Sequence, residues 1–355
     1  MKVLLTGAAG FIGSHIAEAL RASGHDVVGL DSYLPAAHGA QPAASTRFEI
    51  ADHPVHRVDV RDPAGIAALL GGVDVVCHQA AMVGNGVDVA DLPEYVTHND
   101  FGTAVLLAAM HAARVSRLVL ASSMVVYGEG AYTCTQHALI EPSPRTSTDL
   151  DQGFFEPRCP RCGRPLSWAT VSESAPIRPR SIYAATKVAQ EHLGHAWAIQ
   201  TGGQVLALRY HNVYGSRMPR DTPYAGVAAI FRSSLERGQP PAVFEDGGQT
   251  RDFVHVEDVA GANLAAIQNI DGAVVTGGLR AYNVCSGQPT TIGEMARILS
   301  AANGGQDPVV TGEYRAADVR HVVASPERAR QELGFSAQIG PEDGIAAFAH
   351  APLRA

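Results

Sequence analysis

Tyr183 and Lys187, four residues apart in Ser181-Ile182-Tyr183-Ala184-Ala185-Thr186-Lys187, are the pair in this chain best suited to move a proton. On a helix, that spacing puts phenol and ammonium on one face. A nearby cation favours phenolate over phenol, lowering the tyrosine pKa from its usual value of about 10 toward a range where the oxygen can accept a proton. Tyr-x-x-x-Lys also occurs on helices that do no chemistry, so the pair gains meaning only from the elements that position it.

At the N-terminus, Lys2-Val3-Leu4-Leu5 reads as a buried strand that runs into Thr6-Gly7-Ala8-Ala9-Gly10-Phe11-Ile12-Gly13 and then a helix, Ser14 to Ala22. Strand, glycine turn and helix in that order suit a dinucleotide. Gly7 allows the tight turn, Gly10 lets a diphosphate approach the backbone, and Gly13 lets helix pack close to strand. The helix start, with Phe11 and Ile12, offers N–H groups and a positive dipole. The glycines are spaced G-x-x-G-x-x-G rather than G-x-G-x-x-G. The second strand, Asp26-Val27-Val28-Gly29-Leu30, ends at Asp31. A carboxylate there accepts both ribose hydroxyls and repels a 2′-phosphate, which favours NAD over NADP. The alternative is a glycine-rich turn that holds nothing.

Further on, His56-Arg57-Val58-Asp59-Val60, Val73-Asp74-Val75-Val76-Cys77 and Arg117-Leu118-Val119-Leu120-Ala121 are short apolar runs separated by helical patterns at Pro63 to Leu70 and Tyr95 to Arg114. Strands alternating with helices predict an α/β fold with a doubly wound parallel sheet. Ligands bind beyond the carboxyl ends of such strands, where Asp59-Val60, Ala80-Ala81 and Ser122-Ser123 fall. Asp59 reads equally as a turn cap or an adenine contact. Ala80 and Ala81 fit close packing or cofactor contact alike.

Together these residues resemble the extended short-chain dehydrogenase/reductase superfamily and, within it, the nucleotide-sugar epimerase/dehydratase family related to UDP-galactose 4-epimerase. The resemblance spans nearly the whole chain. Its further landmarks are Asn99, Ser122-Ser123-Met124-Val125-Val126-Tyr127-Gly128, Tyr210-His211-Asn212-Val213-Tyr214-Gly215 and Arg251-Asp252-Phe253-Val254-His255-Val256. It implies a Rossmann-type sheet with a smaller α+β substrate lobe. Carried over by position, Tyr183 is the acid/base, Lys187 holds the nicotinamide ribose and lowers the Tyr183 pKa, and Ser123 binds the sugar hydroxyl. Asn99 lies under the cofactor and Tyr210 beside the nicotinamide. Asn212, Arg251 and Arg315 match positions that hold the substrate diphosphate.

Charge agrees with those last assignments. A diphosphate carries about two negative charges, and arginine offers permanently protonated, bidentate donors. The chain as a whole carries a net charge of −8, which suits a small anionic ligand better than nucleic acid or an anionic membrane. Pairing with neighbouring carboxylates is the competing reading for Arg251 and Arg315.

The residues after Ser123 discriminate among reactions. By the resemblance, sugar dehydratases carry an aspartate and a glutamate where Met124 and Val125 stand, and decarboxylases a glutamate at Val125. Neither residue here can move a proton. Oxidation at one carbon remains, with Ser123, Tyr183, Lys187 and NAD: 4-epimerisation through a transient 4-keto sugar, or 4-keto reduction with NAD(P)H. Asp31 favours the epimerase, whose cofactor is regenerated in place. A third reading, an inactive NAD-sensing protein, is disfavoured because the serine, tyrosine and lysine are all retained.

Fifty-nine residues separate Ser123 from Tyr183, which implies an insertion of about thirty. Placed at 131–170, it holds Cys134-x-x-His137 and Cys159-Pro160-Arg161-Cys162-Gly163, two chelating turns twenty-one residues apart. Four such ligands would close a tetrahedral shell around a structural zinc. A Cys159–Cys162 redox pair, a disulfide involving Cys134, or free thiols are the alternatives. The insert and Val243-Phe244-Glu245-Asp246-Gly247-Gly248-Gln249 resemble dTDP-L-rhamnose 4-epimerase-like members, implying a dTDP-6-deoxyhexose, with UDP-hexoses or uronic acids as alternatives. The insert is expected to form a lid, with residues 140–150 a mobile stretch inside it.

With 355 residues, 46% hydrophobic and 17% charged, the chain suits one two-lobed unit. The expected lobes are 1–210 for NAD and 211–355 for the nucleotide sugar. No run of apolar residues suits a membrane span or a secretory leader, and five cysteines fit reduced thiols plus a metal, so a cytoplasmic protein is expected. The helical patterns Tyr95–Arg114 and Ile182–Gln200 could form a homodimer seam or simply pack on their own sheet.

Overall fold

Seven parallel strands form the central sheet of the computed structural model, in the order Gly278–Val284, Gln204–Tyr210, Arg117–Ser123, Val75–His78, Lys2–Thr6, Asp26–Asp31, Val55–Arg57. The structure describes residues 1–38, 55–84, 88–220, 226–315 and 318–354. Period-two alternation in the strands sends Val3 and Leu5 to one face and Leu4 to the other. The first face packs on Ile16, Ala17 and Leu20 of helix Phe11–Ala22 and on Val259, Ala266 and Ile270 of helix Val256–Ala273. The second packs on Leu106 and Met110 of helix Gly102–Ala112 and on Trp197 of helix Ile182–Thr201. A sheet covered on both faces is the doubly wound arrangement that the alternating elements predict.

The division expected at 210/211 is not clean. The edge strand Gly278–Val284 pairs with Gln204–Tyr210 along its whole length, and helix Val256–Ala273 lies under the sheet, so the chain returns to the first lobe after residue 210. The apolar edge of Gln204–Tyr210 needs a partner, and a crossover supplies it from later in the chain. The third strand is also shorter than the run 56–60, ending at Arg57.

The smaller lobe has its own core of Tyr214, Phe231, Leu235, Phe253, Met295, Leu299 and Phe348. Its strands are Asn212–Tyr214, Thr250–His255 and Pro289–Thr291, with a separate pair, Ala242–Val243 and Val309–Val310. The insert forms a three-stranded antiparallel sheet, Ala138–Ile140, Ala131–Cys134 and Ser167–Ala169. Residues 140–150, expected from their Pro and Ser content to be a mobile stretch, carry local order of their own. Thr146 caps the short helix Ser147–Asp151, and the buried Arg145 side chain pairs with Glu245 at 2.7 Å. No helix among the described residues is long and apolar enough to cross a membrane.

Candidate active site and metal cluster

Ser123 ends a central strand in register with Tyr210 on the next, so both lie at the carboxyl edge of the sheet. Tyr183 and Lys187 reach the same edge from helix Ile182–Thr201, whose first turn is fixed by Ser181, accepting from the Ala184 N–H at 3.1 Å. The Ser123 hydroxyl lies close enough to the Tyr183 phenol to favour its ionised form. Lys187 is 3% exposed, donates from Nζ to the Ala121 carbonyl at 2.8 Å, and lies 5.8 Å from the centre of the Tyr183 ring. Phenol and amine thus lie together, as the four-residue spacing predicts.

Their protonation differs from that argument. Burial is the largest influence on both, raising the Tyr183 phenol, which the Ser123 hydrogen bond pulls partly back. Burial pushes Lys187 down to about 7, against the opposing pull of Glu191 and Asp100. Burial, and not the neighbouring cation, therefore sets the direction for Tyr183.

The glycine turn is built as its spacing requires. Gly7 has φ +67°, and a Cβ on it would meet the Ala80 nitrogen at 2.8 Å. A Cβ on Gly13 would sit 2.0 Å from the Gly7 carbonyl oxygen. Gly10 starts helix Phe11–Ala22 without a side-chain cap, so the N–H groups of Phe11, Ile12 and Gly13 have no intrahelical acceptor and point out of the helix start. Asp31, buried at the end of its strand, accepts from the Ala9 N–H at 3.1 Å and the Tyr33 N–H at 2.8 Å and pairs with His38 at 3.3 Å. These residues fit a dinucleotide: a cradle too tight for any side chain, a run of unpaired donors, and a carboxylate on the neighbouring strand.

Several assigned side chains are already committed. Asp59 caps its own turn and takes a bidentate contact from Arg61, at 2.9 and 2.7 Å, which holds its carboxyl below the usual range. Val60 is buried against Gly102, and Ala80 donates its N–H to Thr6 Oγ1 at 3.0 Å, with Ala81 half-buried beside it. Asn99, fully buried in a π-helical turn at Val96–Phe101, accepts from the Met82 N–H at 2.7 Å and donates to the Met82 carbonyl and to Thr186 Oγ1, each at 2.9 Å. The Tyr210 hydroxyl is tied to Gln79 and Asn263, both at 3.0 Å. Arg251 donates to the carbonyls of Thr250, Val319 and Arg320 at 2.7–2.9 Å. Asn212 keeps a buried Oδ1 with no hydrogen-bond partner, while Arg315 is exposed and stacks over Phe244 at 5.5 Å.

Some residues in the site carry no short-motif signal. Tyr95 packs edge-on against Tyr183, with ring centres 6.4 Å apart. Glu191 holds Arg209 bidentately at 2.9 and 2.7 Å behind Lys187 and accepts from Ser122 at 2.5 Å. Its place one turn after Lys187 on the same helix was the available clue. His211, by contrast, belongs to the landmark at 210–215; it is buried, with both ring nitrogens unpartnered, and burial pushes it down to about 3, so its imidazole is neutral.

The insert brings Cys134, His137, Cys159 and Cys162 together, their ligand atoms all within 4.8 Å of one another. Cys134 Sγ lies 3.7 Å from Cys162 Sγ, and His137 Nδ1 lies 3.5 Å from Cys134 Sγ and 3.4 Å from Cys159 Sγ. A tetrahedral zinc with bonds of about 2.3 Å to sulfur and about 2.0 Å to nitrogen has edges of about 3.8 and 3.5 Å. A disulfide needs sulfurs about 2.05 Å apart, and these cysteines are free thiols. The Gln136 N–H, donating to Cys134 Sγ at 3.5 Å, is the main influence lowering that thiol to about 6.

A family model described as the NAD dependent epimerase/dehydratase family matches residues 3–148 and 163–285, leaving out a stretch of the insert that holds Cys159 and Cys162. The chain is 34% identical to a dTDP-L-rhamnose 4-epimerase of Burkholderia thailandensis, over 97% of this chain and 93% of that one. It is 33% identical to a UDP-glucose 4-epimerase of Mycolicibacterium smegmatis, over 98% and 96%. Among solved structures, the UDP-glucose 4-epimerase of Thermus thermophilus in complex with NAD superposes with a TM-score of 0.73 at 30% identity, covering 98% of both chains. The UDP-glucuronic acid 4-epimerase of Bacillus cereus with UDP-glucuronic acid and NAD gives 0.77 at 26%, again over 98% of both. With glycine turn, Asp31, Ser123, Tyr183 and Lys187 gathered at one sheet edge, and with matches of this extent, the chain belongs to the NAD-dependent epimerase/dehydratase family.

Proposed function

We propose that this protein is an isomerase, an NAD-dependent 4-epimerase of a nucleotide-diphosphate sugar. The carrying observation is that Ser123, Tyr183 and Lys187 converge beside the glycine turn while Met124 and Val125, which cannot carry protons, follow the serine. Bound along Gly7, Gly10, Phe11, Ile12, Gly13 and Asp31, NAD would supply the oxidation and re-reduction of sugar C4. Tyr183 takes the proton from O4 as C4 is oxidised and returns it as C4 is reduced. Ser123 orients that hydroxyl, and Lys187 supplies the positive charge that phenolate needs. Asn212, Arg251 and Arg315 grip the diphosphate while the 4-keto sugar turns over between the two half-reactions.

A dTDP-6-deoxyhexose such as dTDP-L-rhamnose is the leading substrate, supported by the 34% identity to a dTDP-L-rhamnose 4-epimerase over nearly the whole chain. UDP-hexoses and UDP-uronic acids are the alternatives. Cys134, His137, Cys159 and Cys162 hold one structural zinc; four protein ligands leave no open position for chemistry. The exposed apolar side chains Leu92, Val96 and Phe101, in the turns that lead into helix Gly102–Ala112, and Ile199 on helix Ile182–Thr201 support a homodimer. Sedimentation of the purified protein as a monomer would remove that last reading.

The deciding experiment incubates purified protein with dTDP-L-rhamnose, UDP-glucose and UDP-glucuronate without added cofactor. Conversion of one of them to its 4-epimer, lost in Tyr183→Phe with NAD retained, is the expected result. Turnover only when NAD(P)H is added and consumed would make the protein a 4-ketoreductase instead.

A further inference from the structure

We infer that the insert buttresses Arg251, with Tyr132 and Glu156 as positioning residues that couple the Cys/His cluster to the grip on the substrate diphosphate. The inference rests on the proposed nucleotide-sugar site and on metal at the cluster.

Tyr132 stands two residues before Cys134, and Glu156 three before Cys159; Tyr132, Cys134, Cys159 and Leu166 share one small buried core. From there both side chains reach a single segment of the other lobe. The Tyr132 hydroxyl accepts from the His321 N–H at 3.1 Å. Glu156 accepts from Arg320 at 2.8 and 2.7 Å through one oxygen and from His321 Nε2 at 2.9 Å through the other. The tautomer is fixed, because the Thr250 N–H donates to His321 Nδ1 at 3.0 Å.

That segment is what orients Arg251. Its guanidinium donates to the carbonyls of Val319 and Arg320, at 2.7 and 2.9 Å, and to that of Thr250 at 2.9 Å. These bonds use three of the five N–H donors. Among the described residues no acceptor takes the Nε–H or the second Nη2–H, a number of donors that suits bidentate contact with phosphate. Moving the 319–321 backbone would therefore re-aim this fork.

A second strut enters from the same insert. Arg145 pairs with Glu245 at 2.7 Å, and Glu245 in turn holds Arg320 at 2.7 Å. Glu245 is 2% exposed and has φ +54°, a left-handed backbone that a glutamate adopts at a cost and that its two arginines offset. Arg320 is 1% exposed and also meets Asp246, so it keeps partners when Glu156 is changed. Glu156→Gln and Tyr132→Phe can thus loosen the buttress without leaving a buried charge alone.

The test titrates dTDP and UDP calorimetrically into the full-length protein, and measures zinc content, bound NAD and, with the active sugar, KM and kcat. Tyr132→Phe and Glu156→Gln, each with wild-type zinc and NAD, should weaken nucleoside diphosphate binding about tenfold, the worth of one charge-assisted hydrogen bond, and raise KM more than they lower kcat. Zinc removal by a chelator should do the same to the wild type. In an Arg251→Lys background the Glu156→Gln effect should vanish, which a general loss of stability would not produce. Wild-type affinity in both single variants would overturn the inference and leave the proposed function standing. A wild type that binds neither diphosphate would overturn the proposed site and this inference with it.

Discussion

Lys187 is anchored to the sheet by its bond to the Ala121 carbonyl, 2.8 Å long, while its ammonium faces the Tyr183 ring from 5.8 Å. Proximity alone does not make this pair reactive. Burial drives the phenol up and the amine down to about 7, so each group resists the charge that the proposed proton transfer asks of it. Glu191, paired with Arg209 behind the lysine, and Asp100 work against that drift by favouring the ammonium.

Lys187→Met should therefore act in two ways. Losing the cation disfavours phenolate, so the acid limb of kcat against pH should move up by about 1–3 units. The second effect is on stability. The folded value of Lys187, about 7, lies below that of free lysine, so the unfolded chain binds more protons between the two values. In that window the contribution of Lys187 to stability rises with pH. The melting temperature of wild type relative to Lys187→Met should climb from pH 7 to pH 10, and a flat difference would reject the buried, depressed lysine.

Asn99 joins the loop at Met82 to helix Ile182–Thr201 at Thr186 through bonds of 2.7–2.9 Å, all inside the protein. Asn99→Ala would leave both Met82 backbone groups without their side-chain partner, at a cost of about 1–3 kcal/mol. Thermal unfolding should show that loss together with reduced turnover. Normal stability with reduced turnover would instead point to direct contact with the reacting groups.

The sheet and the site's outline were legible because their signals are local. A glycine turn that tolerates no Cβ, a carboxylate ending the second strand, and Tyr183 and Lys187 one turn apart each declare themselves within a dozen residues. The edge strand Gly278–Val284 was not placed, since membership of a sheet formed with residues 204–210 is a long-range fact with no local mark. Desolvation was underestimated for the same reason: spacing shows that Lys187 faces Tyr183 but not how much water each has lost. For residues 140–150 composition reports turn chemistry, but not that Arg145 is held by Glu245 a hundred residues away. The Cys/His cluster lies between these cases, since its two turns are local but their meeting is not.

If the cluster holds zinc, the protein should contain about one equivalent per chain, and Cys159→Ser with Cys162→Ser should release it. Metal analysis of both proteins decides the matter. The variant should also lose stability, because two of the four atoms that close the insert's small core are removed. Equal metal content in the two proteins would rule out this cluster as the site.

Gly13 gives the sharpest steric prediction. A Cβ there would lie 2.0 Å from the Gly7 carbonyl oxygen and 2.9 Å from its carbon, and both are backbone atoms that cannot rotate away. Gly7 is itself held at φ +67° against Ala80, so the turn cannot retreat without opening the gap between the first and fourth strands of the sequence. Gly13→Ala must then push the helix start outward, carrying the Phe11 and Ile12 N–H groups with it. Retained NAD in the purified protein should fall at least about tenfold, the effect of losing about 1.4 kcal/mol of binding energy. Gly24→Ala, where a Cβ meets nothing within 4 Å but φ is +77°, is the matched control: backbone strain without a clash. It should lower the melting temperature and leave NAD content unchanged, and equal NAD loss in both variants would show that general instability, not the cradle, governs retention.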